Sequence, residues 1–309
     1  MADTYLFGPL ISTGDVAAHQ QTFGEVFDLV EAGRAQLPTA DARAIFGAGV
    51  DTASLVSLQT EGVPAGVLLA DFGPRSAETV RDPDTWIHRD VLRVVDFHAP
   101  DFPAAVAHAR AAGCKVEGSE AEYEGEDAGF REAHLRLPDH VVAAVLGAPA
   151  DFFADFVQVS DRRVSEVVSI SLPLSDAAET LDFLDRVLGW GVVYELSFRD
   201  ASFSELLGTD EELTVHARMV GPARNQPYLN LVDYGLPATA AASLRGRAVA
   251  PRRGLLGAVL GTADLDAVRA AAGEAAGPVV PLDLAPFGDT RACVLDLPPG
   301  IPLLLVETR

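Results

Sequence analysis

A histidine and an arginine alternate along one predicted strand, and a tyrosine lies on the next. His216 and Arg218 are two residues apart, which in a strand puts both side chains on the same face. Imidazole exchanges protons near neutral pH, and an arginine or a phenol beside it can stabilise an enolate or phenolate oxygen. We therefore predict that His216, Arg218 and Tyr228 perform acid–base catalysis. The competing interpretation is a solvated strand face on which His216 and Arg218 do no chemistry.

Two carboxylates and two imidazoles form a second candidate cluster in the first half of the chain. Asp96 and His98 are two residues apart, as are Glu132 and His134, so each pair shares one face of a predicted strand. Such a set could bind a metal or act as an acid–base pair. The structural alternative is that Asp96 and His98 only flank the start of a helix and that neighbouring arginines form ordinary ion pairs.

The elements that carry these side chains repeat one order four times: strand, helix, then two or three strands. The third copy shows it best, because residues 167–174 alternate as a strand and Ser175-Asp176 caps a helix, with Glu179 three residues beyond. Residues 189–191, Gly-Trp-Gly, end that helix. The four copies span about residues 5–75, 88–149, 164–236 and 250–309.

Parts of the last two copies resemble a known superfamily. Residues 263–267 (Ala-Asp-Leu-Asp-Ala), 297–303 (Leu-Pro-Pro-Gly-Ile-Pro-Leu) and 183–190 (Phe-Leu-Asp-Arg-Val-Leu-Gly-Trp) look like the vicinal oxygen chelate superfamily, the glyoxalase, bleomycin-resistance and extradiol-dioxygenase group. The resemblance implies an α+β fold of four βαβββ modules paired into two domains, with half-barrel mixed sheets around central cavities. We expect the domains to be residues 1–150 and 164–309. The competing fold is an α+β protein with ferredoxin-like halves.

Metal-binding members of this superfamily place a histidine on the first strand of a module and a glutamate in its last strand. The resemblance puts the histidine positions on Gly8, Val94, Ser169 and Gly257, and the glutamate positions near Leu68 and on Ala144, Asn230 and Leu304. None of these side chains holds a transition metal firmly. We therefore expect no metal and no other cofactor, unless ligands have been relocated to the second candidate cluster.

The same architecture leaves one face of each sheet free to line a pocket. Alternation along the strands then predicts a substrate-binding wall next to the catalytic candidates, formed by Ser169, Ser171, Thr214, Asn230, Gly257 and Leu304. Part of this wall can form hydrogen bonds and part is small and apolar. Such a pocket suits an aromatic or polycyclic small molecule that carries oxygens on one side.

Three functions follow from these observations. The leading hypothesis is a metal-independent enzyme that acts as an isomerase, lyase or hydrolase on an aromatic or polyketide-like molecule. The first alternative is a non-catalytic binding or resistance protein, and the formal net charge of −22 agrees with a cationic drug as its ligand. The second alternative is a dioxygenase-like or other metal enzyme with ligands relocated to Asp96, His98, Glu132 and His134.

Composition limits the partners and the compartment. A charge of −22 repels nucleic acid and anionic lipid. No apolar run approaches the roughly 20 residues needed to span a bilayer, and the first residues do not resemble a signal peptide, so we expect a cytoplasmic protein. Cys114 and Cys293 lie too far apart in sequence to indicate a disulfide framework. Because paired modules in one chain can complete a site, we expect a monomer or homodimer.

Overall fold

The computed structural model describes residues 3–73, 76–126, 128–237 and 241–308. Two large curved mixed sheets dominate it, with helices packed on them, as the predicted α+β fold requires. Residues 75 and 309, the predicted ends of the first and last modules, lie outside the described part of the chain. Among the described residues, no helix combines the length and the apolar character needed to cross a bilayer.

The first two modules follow the predicted order, with additional short elements. The first consists of β1 (Thr4–Ser12), α1 (Val16–Phe27), β2 (Val30–Leu37), α2 (Thr39–Phe46), β3 (Ala53–Gln59) and β4 (Gly66–Asp71). The second consists of β5 (Val94–His98), α3 (Phe102–Ala111), β6 (Lys115–Val116), β7 (Ala121–Glu124), β8 (Gly129–Arg136) and β9 (Val142–Gly147). A short helix, α4 (Ala150–Phe153), lies in the segment that leads to the third module.

The last two modules repeat this arrangement. The third consists of β10 (Val167–Pro173), α5 (Ala178–Phe183), β11 (Gly191–Phe198), α6 (Ala201–Leu206), β12 (Val215–Gly221) and β13 (Tyr228–Asp233). The fourth consists of β14 (Gly254–Thr262), α7 (Leu265–Ala272), β15 (Val280–Leu284), β16 (Gly288–Leu297) and β17 (Ile301–Glu307). A π-helical turn, Leu184–Leu188, continues α5.

An aspartate opens the main helix of three modules. The carboxylates of Asp15, Asp101 and Asp264 each accept a hydrogen bond from the backbone N–H three residues further on, at 3.1, 3.1 and 2.9 Å. Such caps satisfy backbone donors that have no partner within the helix. In the third module Asp176 accepts from the Ala178 N–H at 2.9 Å, and α5 begins two residues after it.

The pairing of the modules differs from the prediction. Sheet 1 has the strand order β15-β16-β17-β14-β1-β4-β3-β2, and sheet 2 has β11-β12-β13-β10-β5-β9-β8-β6 with β7 on β8. The first module therefore pairs with the fourth, through β1 and β14, and the second with the third, through β5 and β10. The division into residues 1–150 and 164–309 is wrong, because each half contributes one module to each sheet. Four similar first strands offer similar edges, so the repeat alone does not determine which two pair.

The linkers that precede the second and fourth modules run side by side. Thr79 forms a parallel bridge with Arg253, and Arg89 forms one with Ser243. Inside the first linker the buried guanidinium of Arg81 donates to four backbone carbonyls at 2.6 to 3.0 Å, those of Thr85, His88, Val91 and Leu92. Burial lowers the pKa of Arg81 to about 9, which still leaves it charged at neutral pH. This cation therefore organises the segment that leads into β5.

The interior of sheet 1 is filled. An added Cβ on Gly257 would lie 2.1 Å from the Pro302 carbonyl oxygen, so no side chain fits there. Leu304 is 1% exposed, and the rings of Phe7 and Phe287 pack edge to face with centroids 5.0 Å apart. Gly257 and Leu304 thus belong to the core of sheet 1 and do not share a wall with the third module. Their predicted role in substrate binding is wrong, because the third and fourth modules do not pair.

Candidate active site

Sheet 2 curves around a cavity of about 80 Å³. A water needs roughly 10–15 Å³ of such space, so the cavity as it stands has room for about six waters, and an aromatic ligand requires its lining side chains to move outward. One part of its lining is strongly aromatic, with Phe130, Phe152, Phe153, Phe156, Phe198 and Phe203. Three of these rings come from the segment around α4, which joins the second and third modules. The opposite part is polar and comes mainly from the central strands of the sheet.

Asp96 is the buried carboxyl group on this polar side. It lies on β5 opposite Ser169 of β10, and the hydroxyls of Ser169 and Ser171 both donate to its Oδ2 atom, the latter at 3.1 Å. Asn230 on β13 donates from Nδ2 to the Ser171 hydroxyl at 3.3 Å. Burial, with the nearby charge of Glu132, raises the pKa of Asp96 to about 8 against the opposing effect of the serine hydrogen bonds. At neutral pH Asp96 is therefore mainly a neutral carboxylic acid.

Glu132 on β8 is the second carboxyl group of the cavity. His134 approaches its Oε1 with Nε2 at 2.6 Å, and the Tyr123 hydroxyl donates to its Oε2 at 3.1 Å. Burial acts to raise the pKa of Glu132, but His134, Arg93 and Tyr123 together hold it below its usual value. Burial also lowers the pKa of His134, although Glu132 opposes this. The pair is thus an ionised glutamate that accepts from a neutral imidazole.

His98 is the remaining member of the second candidate cluster. Its ring stacks on Phe153, with centroids 3.6 Å apart, and its Nδ1 lies 3.1 Å from the Leu146 carbonyl oxygen. Burial lowers the pKa of His98 to about 4, so the ring is neutral. Of the four predicted residues, Asp96 and Glu132 line the cavity, His134 supports Glu132, and His98 supports an aromatic ring of the wall.

Two of the three predicted catalytic residues point away from the cavity. His216 and Arg218 are exposed on the outer face of β12, where they contact Ser197 at 2.9 Å and Glu195 at 3.1 Å. Their predicted catalytic role is wrong, because the cavity wall here is apolar and the outer face of β12 is open to solvent. The predicted inward polar face of this strand is in fact its outer face.

Other residues of β12 and β13 show which face of each strand lines the cavity. Val215, Ala217 and Met219 take the inward positions on β12. Tyr228 on β13 does line the cavity and is 5% exposed, so its catalytic role stays a prediction. Thr214, which directly precedes β12, does not belong to the cavity lining among the described residues.

The structure joins two sets of residues that the sequence presents separately. Ser169, Ser171, Tyr228 and Asn230 from the third module face the same cavity as Asp96 and Glu132 from the second. The residue patterns predicted neither the aromatic wall nor Arg93, which also lines the cavity. The run Phe152-Phe153-x-x-Phe156 in a linker was the available signal for the wall, since linkers seldom expose three phenylalanines.

The side chains present do not fit a divalent transition metal at the positions that the superfamily uses. An added Cβ on Gly8 would lie 1.8 Å from the Gly66 carbonyl oxygen, so that position of sheet 1 cannot hold a histidine. In sheet 2 the corresponding positions are Val94, Ser169, Ala144 and Asn230.

The second candidate cluster does not supply a metal site either. Asp96 is held by two serines, His98 turns to a backbone carbonyl, and His134 turns to Glu132. Within the described ranges, no group of three or more His, Cys, Asp and Glu side chains is arranged to bind a metal. In the described structure Asp96, His98, Glu132 and His134 are thus not brought together as a set of metal ligands.

Known structures share this architecture across nearly the whole chain. Glyoxalase I from Zea mays superposes with a TM-score of 0.63 at 14% sequence identity, over 99% of this chain and 93% of that one. A proposed dioxygenase from Bacillus subtilis subsp. subtilis strain 168 gives a TM-score of 0.57 at 12% identity, over 98% and 84% of the two chains. No protein-family model and no curated protein sequence matches this chain. The likeness shows the fold alone: the chain has the fold of these glyoxalase-type structures, in a four-module form.

Proposed function

We propose that this protein is a metal-independent enzyme that binds an aromatic or polyketide-like molecule in the sheet 2 cavity and transfers a proton on it through Asp96. The reaction would be of the isomerase, lyase or hydrolase type. One observation carries the proposal: a buried carboxyl group with a pKa of about 8 lines an aromatic cavity. Perturbed titratable groups in a pocket are characteristic of catalytic sites.

Asp96 has the properties needed for proton transfer in either direction. With a pKa of about 8 it is populated in both forms near neutral pH, so it can give a proton to a substrate oxygen or remove one from a carbon next to a carbonyl. Ser169 and Ser171 donate to Oδ2 and stabilise the carboxylate once the proton has left. Neither of these two hydrogen bonds uses the second oxygen, Oδ1, which can therefore face the substrate.

Two further groups on the polar side can stabilise an enolate or phenolate oxygen. Burial, with the nearby Asp96, raises the pKa of Tyr228 well above its usual value, so its phenol keeps its proton and can donate it in a hydrogen bond. The Arg93 guanidinium, which lines the same cavity, supplies a positive charge. Donors placed in a water-poor cavity stabilise developing negative charge strongly.

A binding protein without chemistry is the second candidate function, since the six-ring aromatic wall alone would hold a flat ligand. The polar side does not favour the cationic drug expected from the net charge. Asp96 is mainly neutral, both oxygens of Glu132 already accept hydrogen bonds, and Arg93 is itself a cation.

Transfer of deuterium from heavy water into 2-tetralone, a bicyclic aromatic ketone with acidic C–H bonds, tests the catalytic proposal. We expect the native protein to accelerate incorporation, as followed by mass spectrometry, and Asp96→Asn to slow it by about 100-fold or more, the usual contribution of a general acid or base. His216→Ala is the control and should keep the native rate, because His216 lies outside the cavity. An unchanged rate in Asp96→Asn would contradict the role of Asp96, and binding without exchange by the native protein would favour the second candidate.

A further inference from the structure

We propose that the ligand of this cavity is an aromatic anion, and that Arg93 binds its carboxylate or phenolate oxygen through Nη2. This inference rests on the proposed function in taking the sheet 2 cavity as the ligand site. It adds the chemical class of the ligand and a residue that determines specificity.

Arg93 is fixed at the edge of the cavity and is 3% exposed. It directly precedes β5, and its backbone N–H donates to the Ser171 carbonyl at 2.8 Å, which continues the pairing with β10. Its Nε donates to the Trp86 carbonyl at 2.7 Å, and its guanidinium carbon lies 5.6 Å from the centroid of the Trp86 ring. The guanidinium is therefore held in one place before any ligand arrives.

This fixed cation interacts with the Tyr234 side chain and, through space, with the ionised Glu132, but one of its donors has no hydrogen-bond partner. Among the described residues, Nη2 of Arg93 is buried without a hydrogen-bond partner, and no carboxylate oxygen forms an ion pair with Arg93 within 4.0 Å. The two nearest carboxyl groups are engaged elsewhere: Glu132 accepts from His134 and Tyr123, and Asp96 accepts from two serines. Native proteins rarely leave a buried donor of a charged group without a partner, because the donor loses the hydrogen bond that water would supply. An anionic oxygen on the ligand would restore that interaction through a charge-assisted hydrogen bond.

A second unsatisfied atom specifies a further feature of the ligand. The single hydroxyl proton of Ser171 goes to Asp96, so Ser171 can only accept from Asn230, which orients the amide with Nδ2 toward Ser171. The amide oxygen, Oδ1, is then the atom without a partner in the described structure, although Asn230 lines the cavity. A hydrogen-bond donor on the ligand would satisfy this amide oxygen. The ligand class is therefore an aromatic carboxylate or phenolate that also carries a hydroxyl group.

Calorimetric titration at pH 6.5 with 2-naphthoate and 2-naphthamide tests the inference, because the two molecules have nearly the same shape and differ in charge. We expect the native protein to bind 2-naphthoate at least tenfold more tightly than 2-naphthamide. Arg93→Leu should remove this preference, and Arg93→Lys, which keeps the charge, should retain part of it. Arg110→Leu is the matched control, since Arg110 is an exposed arginine of α3 that pairs with Glu120 at 3.3 Å.

The outcomes separate this inference from the proposed function. Equal affinity of the native protein for the two molecules would overturn the assignment of an anionic ligand and leave the cavity as a binding site. A preference for 2-naphthoate that survives in Arg93→Leu would overturn the role of Arg93. Absence of binding by both molecules would overturn the cavity as an aromatic ligand site, and with it the proposed function.

Discussion

The surroundings of Asp96 account for its raised pKa. The groups that face it are Ser169 and Ser171 from β10, Glu132 from β8, Tyr123 from β7, Tyr228 from β13 and Arg93 from the segment before β5. Burial and the charge of Glu132 together outweigh the stabilising hydrogen bonds. No cation contacts its carboxyl group directly among the described residues. A neutral acid in this position is compatible with a nearby anionic ligand, whereas an ionised one would repel it.

Because the pKa of Asp96 is raised in the folded protein, we expect Asp96 to make the unfolding free energy depend on pH. Between about pH 4 and pH 8 the folded protein keeps a proton on Asp96 that the unfolded chain has released. The contribution of Asp96 to the unfolding free energy is therefore full below the unfolded pKa and is lost as the pH rises through about 8. Asp96→Asn removes the titration. We expect the unfolding free energy of Asp96→Asn, minus that of the native protein, to increase steadily between pH 5 and pH 8 in urea denaturation. A difference that does not change with pH would show that Asp96 titrates normally.

The site could be predicted only in part at the level of residues. Alternation along β10 and β13 correctly placed Ser169, Ser171 and Asn230 toward the cavity. The same reasoning failed for His216, because alternation shows that neighbours lie on opposite faces and not which face is inside. On β12 the apolar face is the inner one, since an aromatic cavity rather than a helix covers it.

The linker before β5 is the element on which the position of Arg93 depends. Arg81 satisfies four backbone carbonyls within it, and no other side chain contributes as many hydrogen bonds to this segment in the described structure. A hydrophobic replacement would leave several buried acceptors without donors, and each such loss costs about 1–3 kcal/mol.

We therefore expect Arg81→Leu to lower the unfolding free energy by roughly 3 kcal/mol or more, measured by urea denaturation. Arg110→Leu serves as the control and should cost less than about 1 kcal/mol, as exposed ion pairs do. A loss of similar size in both variants would show that the carbonyl contacts of Arg81 contribute no more than a surface pair.

The order of elements was predictable, but two helices were not. The aspartates that open α1, α3 and α7, and the glycines that follow the main helices of the last three modules, identified the repeat. The helices α2 and α6 occupy equivalent places between the second and third strands of the first and third modules. They have eight and six residues, about two turns, which is too short for helical periodicity to stand out in the sequence.

The charge of the whole molecule opposes the anionic ligand that we propose for the cavity. A net charge of −22 should slow the approach of an anion at low salt, whereas Arg93 acts only once the ligand is inside. We expect the association rate constant of 2-naphthoate, measured by stopped-flow fluorescence, to rise several-fold when the salt concentration increases from about 10 mM to about 0.5 M. The rate for 2-naphthamide should hardly change. A fall in the 2-naphthoate rate would instead indicate a positive path that steers anions to the cavity.

The pairing of the modules could not be predicted from the repeat, and it has a consequence for synthesis on the ribosome. The second and third modules are neighbours in the chain, so sheet 2 can assemble as soon as both have emerged. In sheet 1, by contrast, Leu10 of β1 pairs with Gly257 of β14, which is synthesised on the order of ten seconds or more later at ordinary rates of translation. The apolar β1 would therefore be a target for chaperones on the nascent polypeptide after sheet 2 has been able to fold.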